Sequence, residues 1–309
     1  MTQNINQQMS LRDILILIIL SILWGGSFFF IEILVKHLPP LTIVTARVGL
    51  AAIALWGIVF ALKLPLPKTR QHWTALFVVG MLNNALPFCL IVWGQTQISS
   101  GLASIFNATA PFFTVMVAGA ILMDERITRP KLIGVLIGLI GTIILIGPEA
   151  LKGLTGSMLG QLAVIGAALC YAFAATYSRR FKTWGLSPLI ITTGQVTMAT
   201  LILLPLTLLI DKPWIDMSLP FEALGAIIGL AFFSTVIAYI LYFKLIASAG
   251  ATNAALVTFL IPISAILLGV TILGESFTEL QAIGMGLIGL GLLVMDGRLF
   301  PALQTKTST

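Results

Sequence analysis

The chain has 309 residues, 58% hydrophobic and 9% charged, with a formal net charge of +6. Soluble domains carry about 25% charged residues, so a water-soluble globular fold is excluded, and this much apolar surface needs a bilayer as its solvent. The basic residues fall in short clusters between apolar runs, with no basic amphipathic stripe, which sets nucleic acid aside as a partner.

Taken in order, ten apolar runs are long enough to cross a hydrocarbon core of roughly 30 Å. The first, about 13–35, follows Arg12 and Asp13 and exceeds the apolar core of a signal peptide, with no small-x-small site before Lys36. A retained span is expected. Within it Trp24, Ser27, Phe28 and Ile31 recur at helical spacing and share one face. After Pro39-Pro40 comes the second run, 41–62, with Arg47 about seven residues in, hence roughly 10 Å deep. A lipid-facing charge at mid-helix costs on the order of 2.5–3.5 kcal/mol, so Arg47 is expected to face protein or water. Two roles stay open: an anion contact at the mouth of a pathway, or a structural partner of Glu32 or of helix-end carbonyls.

The third run, 73–94, holds Asn83, Asn84 and Pro87. The fourth, 100–122, holds Asn107, Thr109 and Pro111, with Glu125 just past its end. The fifth, 131–148, carries Gly134-x-x-x-Gly138 and is expected to stop at Gly147-Pro148. The sixth and seventh, 157–178 and 188–210, contain Cys170, Tyr171 and Gln195. The eighth, 221–243, contains Tyr239 and Tyr242; the ninth, 252–273, contains Pro262 and leads to Glu275; the tenth, 280–297, is rich in glycine from Gly284 to Gly291. The runs are continuous rather than alternating, so a β-barrel is excluded. The fold class expected is an all-α integral membrane protein of ten helices, without a soluble domain.

Lys and Arg divide unequally between the two faces. With the N-terminus inside, 13 lie in cytoplasmic segments and three (Lys36, Lys152, Lys212) outside, Arg47 lying within a span. Positive loops stay cytoplasmic, so both termini are expected there, with tails at 1–11 and 298–309. An internal repeat is also visible: Pro40-Leu41 recurs as Pro188-Leu189, Glu125 as Glu275, Gly134 and Gly141 as Gly284 and Gly291, and Ala103–Pro111 as Ala254–Pro262. The offsets stay within 148 to 151 residues. Two five-span units, 12–148 and 157–297, follow. An odd number of spans per unit makes the second enter from the opposite face, which gives inverted repeats.

The residues resemble EamA-type members of the drug/metabolite transporter superfamily. The resemblance rests on Leu-Trp-Gly-Gly-Ser-Phe at 23–28, Pro39-Pro40-Leu41 with Ala46-Arg47, and Ala110-Pro111 with Glu125. Their second-half partners Ile261-Pro262 and Gly274-Glu275 complete it. The second half departs at 169–176, and Gln195 stands where Arg47 stands in the first half. The resemblance implies a secondary transporter of small organic metabolites, an amino acid or related compound leaving the cytoplasm across the inner membrane, with spans five and ten flanking the transport core.

From the residues themselves, a central cavity is expected to be lined by Trp24, Ser27, Phe28, Asn83, Asn84, Pro87, Asn107, Tyr171 and Tyr239. Amides in hydrocarbon need a partner or a wet cavity, and proline-bent helices with polar neighbours line such spaces. The alternative is interhelical bonding and ordinary packing. Glu125 and Glu275 are candidate gates or solvated helix ends, Glu125 having Arg126 and Arg129 nearby. There is no HExxH, GxxxxGK[ST] or CxxC motif, and His37 and His72 fall on opposite faces. No catalytic residue, metal or cofactor is therefore expected, and the working unit is expected to be a monomer whose partners are a small-molecule solute and the lipid bilayer. Competing readings are a drug-efflux carrier, a passive channel and a non-transporting scaffold or sensor.

Overall fold

The computed structural model describes residues 9–121, 129–152, 157–213, 219–249, 254, 257–264 and 278–295. Among them there is no β-strand. Seven helical spans are long and apolar enough to cross a membrane: Leu11–Leu34, Pro40–Ala61, Arg70–Gln95, Ser100–Ile121, Met158–Ser178, Pro188–Ile210 and Phe221–Ile246. The fifth span is the helix Arg129–Lys152 and the tenth is Glu279–Met295, while the ninth is helical over 257–264. The described residues thus form an all-α membrane protein in which helix falls on each of the ten expected spans.

The helix starts follow the local chemistry of the sequence. Ser10, Thr69, Ser99, Ser157 and Ser187 each accept a hydrogen bond from an N–H of the first turn, and Pro40 and Pro188 sit at the first helical positions, where a missing donor costs nothing. The first cap is a full capping box, Ser10 and Asp13 each satisfying the other's backbone N–H. Large side chains such as Ile53, Phe60 and Leu209 lie on the outer surface of the bundle, as expected where the solvent is lipid.

Proline acts in three different ways. The fourth span breaks at Ala108-Thr109, immediately before Pro111, into Ser100–Asn107 and Ala110–Ile121. The third stays continuous but opens into a π-helical turn at Met81–Ala85, just ahead of Pro87. A proline there cannot donate to the carbonyl four residues back and crowds it, and a wider turn relieves both effects. In the fifth span the expected stop at Gly147-Pro148 is corrected: the helix continues to Lys152. One lost intrahelical bond is tolerated there, since helices in membranes re-satisfy freed groups locally.

The packing relates the two halves pairwise. The first span packs along the eighth and, correspondingly, the sixth packs along the third. The second span meets the π-helical part of the eighth, Gly229–Ile237, and the seventh meets Met81–Ala85 of the third. Two pairs match themselves: the second against the seventh, and the fifth against the tenth. The last pair crosses backbone to backbone. A Cβ on Gly141 would lie 2.8 Å from Ile288 N, and one on Gly291 2.6 Å from Gly134 O. Gly134, Gly141 and Gly291 belong to the glycine set that repeats at a 150-residue offset, so this close approach is written into both halves.

Candidate functional site

The second and seventh spans enter from opposite faces and each carries a long polar side chain seven residues from its first residue, Arg47 and Gln195. Both are buried, at 5% and 1% exposure. Each meets the π-helical turn of the other half, and both turns lie near the middle of their spans. Arg47 Nε donates to Thr235 Oγ1 at 2.9 Å, Nη2 reaches Ser234 O at 3.4 Å, and the guanidinium lies 3.8 Å above the Phe88 ring. On the other side Asn83 Nδ2 donates to Gln195 Oε1 at 3.2 Å.

Tyr239 joins the two sides. Its hydroxyl accepts from Asn84 Nδ2 at 2.8 Å and from Asn83 Nδ2 at 3.3 Å. Trp24 meets it edge-on with centroids 6.4 Å apart and lies 5.2 Å from the Tyr242 ring. Tyr171 packs against the same core cluster, which also holds Tyr239. Ser234 ties this region to the first span, its hydroxyl donating to Leu23 O at 2.6 Å, next to Trp24.

The π turns explain this convergence. A π turn adds a residue to the turn and leaves carbonyls and side chains out of ordinary helical register. Thr235 Oγ1 donates to Leu230 O, five residues back, while still accepting from Arg47. Gly80, one residue before the first π turn, lets the third span close on the seventh: a Cβ there would lie 2.5 Å from Gln195 O.

Two buried polar atoms of this cluster have no protein partner, the acceptor Asn84 Oδ1 and the donor Gln195 Nε2. Buried amides normally satisfy both ends. A free donor and a free acceptor beside a fixed cation and an aromatic wall can bind a small solute carrying both an acceptor and a donor group.

The structure brings Trp24, Asn83, Asn84, Tyr171, Tyr239 and Arg47 to one region. Phe28 and Pro87 pack nearby in the buried core, and Phe28 O accepts from Gln95 Nε2 at 3.1 Å. Ser27 is buried on the first span. Asn107 is buried at the break in the fourth span, its Oδ1 unpartnered. Glu125 and Glu275 lie outside the described residues. Arg47 does not pair with Glu32: its bonds go to the eighth span, and Glu32 Oε2 is buried without a hydrogen-bond partner. Thr235 and Ser234 escaped sequence reading, although a signal existed, since adding the 150-residue offset to Asn84 lands on Ser234.

The surrounding contacts tie the ends of the spans together. Asp211 Oδ2 accepts from Thr42 N and Oγ1 at 2.7 and 2.9 Å, capping the second span from the seventh. Asp13 Oδ1 accepts from Ser248 Oγ at 2.6 Å at one end of the first span, and His37 Nε2 meets Glu222 Oε1 at 3.0 Å at the other.

Comparison with known proteins adds family and fold. The family model for EamA-like transporters matches residues 11–147 and again 158–295. A "Probable amino-acid metabolite efflux pump" of Salmonella typhimurium is 28% identical over 93% of this chain and 95% of its own length. An "Uncharacterized transporter" of Archaeoglobus fulgidus is 27% identical over 88% and 94%, and the "Uncharacterized inner membrane transporter YedA" of Escherichia coli is 27% identical over 92% and 90%. A crystal structure with 18% identity superposes with a TM-score of 0.70, covering 92% of this chain and 97% of that one. At that identity the likeness speaks for the fold alone.

Proposed function

The chain belongs to the EamA-like transporter family, and from that premise we propose that it exports an amino acid or a closely related zwitterionic metabolite across the inner membrane by alternating access. The observation that carries the reading is the buried cluster with one free donor and one free acceptor, Gln195 Nε2 and Asn84 Oδ1, near Arg47. A carboxylate suits Gln195 Nε2 and the Arg47 field, and an ammonium suits Asn84 Oδ1. Trp24, Tyr171 and Tyr239 supply the apolar wall for a side chain, and Ser27, Phe28, Pro87 and Asn107 extend it. The relatives described as amino-acid metabolite efflux pumps support the same cargo class.

Alternating access follows from the inverted repeat. Two similar halves exchange roles as the site opens to one face and then the other. The units 12–148 and 157–297 are the rocking bodies of this proposal, both termini are cytoplasmic by the Lys/Arg asymmetry, and one chain is the working unit.

The test is uptake and counterflow of a labelled metabolite panel by the purified protein in proteoliposomes. Saturable counterflow of a neutral amino acid is the expected result, and Asn84→Leu shifts which members of the panel are carried. A panel in which no zwitterion exchanges, while a cationic drug does, overturns the cargo reading in favour of drug efflux.

A further inference from the structure

The second and seventh spans are hydrogen-bonded to each other at several points along their length. Thr42 and Thr45 of the second bond Asp211 and Thr207 of the seventh, Thr45 and Thr207 at 2.6 Å, and further along Trp56 Nε1 donates to Thr197 Oγ1 at 2.9 Å. Around the Trp56–Thr197 bond, on the outer side of the helix pair, lies a groove of about 490 Å³, lined by Gly49, Trp56, Gly57 and Phe60 on one side and Thr197 and Leu201 on the other. It deepens along the second span: a Cβ on Gly49 would touch Thr200 Cγ2 at 3.6 Å, whereas one on Gly57 would meet nothing within 4 Å.

The groove faces the bilayer. Ile53, Phe60 and Leu201, which line it, are 72%, 64% and 60% exposed. Its polar groups are already satisfied, since Thr197 and Thr200 donate to Thr193 O and Val196 O at 2.6 and 2.8 Å, and Thr197 also accepts from Trp56. No donor or acceptor is left for water or a polar solute, so the occupant is apolar. From Gly49 to Phe60 the groove runs roughly 16 Å along the helix, about half the thickness of a hydrocarbon core of roughly 30 Å. That is the depth of one leaflet.

One turn past Phe60 the chain turns at Lys63, whose φ is 49°, and exposed Lys68 and Arg70 follow before the third span. A basic loop thus stands at the end of a leaflet-long apolar groove, which suits a basic headgroup site at the membrane surface. We propose that this groove binds one acyl chain of an anionic phospholipid, whose phosphate rests against Lys63, Lys68 and Arg70. The site is separate from the central polar cluster and does not depend on the cargo assigned to it.

Native mass spectrometry of the full-length protein, with phosphatidylglycerol or phosphatidylcholine of identical chains, tests this, with glycerol phosphate as a headgroup-only probe. The wild type is expected to retain phosphatidylglycerol over phosphatidylcholine and not to retain glycerol phosphate. Gly57→Phe, which fills the groove, lowers phosphatidylglycerol retention by about tenfold or more, while Gly57→Ala retains it fully. The triple variant Lys63→Gln, Lys68→Gln, Arg70→Gln leaves the helix packing untouched and brings the two lipids to equal retention, which keeps the proposal testable if Gly57→Phe fails to fold. Any of four results overturns it: equal retention of both lipids by the wild type, undiminished retention by Gly57→Phe, retention of glycerol phosphate alone, or a lipid-free dimer that Gly57→Phe dissociates.

Discussion

Arg47 and Gln195 occupy matching places in the second and seventh spans, each facing the π turn of the opposite half, yet the two contacts are chemically unequal. On the Arg47 side a cation donates to Thr235 at 2.9 Å and also covers the Phe88 ring at 3.8 Å. On the Gln195 side two neutral amides, Asn83 and Gln195, meet at 3.2 Å, while Gln195 Nε2 and Oδ1 of the adjoining Asn84 stay unpartnered. Hydrogen bonds to ionised groups are roughly twice as strong as neutral ones. The same backbone frame therefore carries a firm contact in one place and a loose one in its symmetry mate. An inverted repeat supplies the frame and sequence divergence supplies the bias, and on the proposed function the loose side is where a solute displaces protein–protein bonding.

The largest expected effect breaks the firm side. Arg47→Leu removes a bond to a charged group, a class worth about 1.5–3 kcal/mol, and leaves Thr235 without its cationic partner. Proteoliposome transport is expected to fall by about ten- to a hundredfold, with a lowered unfolding temperature in detergent. Arg47→Gln makes the two sides alike; it is expected to fold better than the leucine variant and still transport slowly. Wild-type rates in both would show that the inequality between the sides carries no function.

Next is the junction between the sides. Tyr239→Phe takes away the acceptor of two amide donors, on Asn83 and Asn84. A buried donor left unsatisfied costs about 1–3 kcal/mol. Solute-induced thermal stabilisation is expected to drop, unless the solute itself accepts from the freed amides, in which case binding tightens while transport slows. An unchanged ligand response would remove Tyr239 from the site.

Trp24→Ala has a smaller effect. Trp24 contacts Tyr239 and Tyr242 through its ring, and such aromatic pairs contribute about 0.5–1.5 kcal/mol beyond area burial. The ligand-induced shift in unfolding temperature is expected to shrink more than the unfolding temperature of the free protein. The reverse ranking would make Trp24 a packing residue.

The frame of this comparison was legible in the sequence and its detail was not. Apolar run length gave the spans, and the 148–151-residue offsets gave the inverted repeat, because both depend on local composition. Gln195 was visible as the counterpart of Arg47. The partner of Arg47 was not, because Thr235 lies 188 residues away and reaches it only through the packing of the second span on the eighth. Glu32 looked attractive as a partner because it is near in sequence and opposite in charge. Proline effects were read only halfway: Pro87 and Pro111 distort their spans as proline chemistry suggests, but Pro148 does not end the fifth helix. The π turn at Gly229–Ile237 contains no proline, so residue chemistry alone left it without a marker; only its symmetry with Met81–Ala85 points to it.

The smallest expected effect supplies the control. Thr45 and Thr207 bond at 2.6 Å between the same two spans that carry Arg47 and Gln195, and Thr207 Oγ1 also reaches Leu41 O at 3.3 Å. Both belong to the second–seventh interface, and these hydrogen bonds go to each other and to Leu41 rather than to the central amides or the π turns. Interhelical hydrogen bonds in membranes average only about 0.6 kcal/mol, because the separated helices find other partners. Thr45, freed of its neighbour, can bond a carbonyl of its own helix in the way Thr192, Thr193, Thr197 and Thr200 already do. Thr207→Val keeps the shape and deletes the bond, so a slightly lowered unfolding temperature and unchanged transport are expected. Transport loss comparable to that of Arg47→Leu would mean that the whole second–seventh interface is the moving part. The unequal contacts at Arg47 and Gln195 would then be only two bonds among many along it.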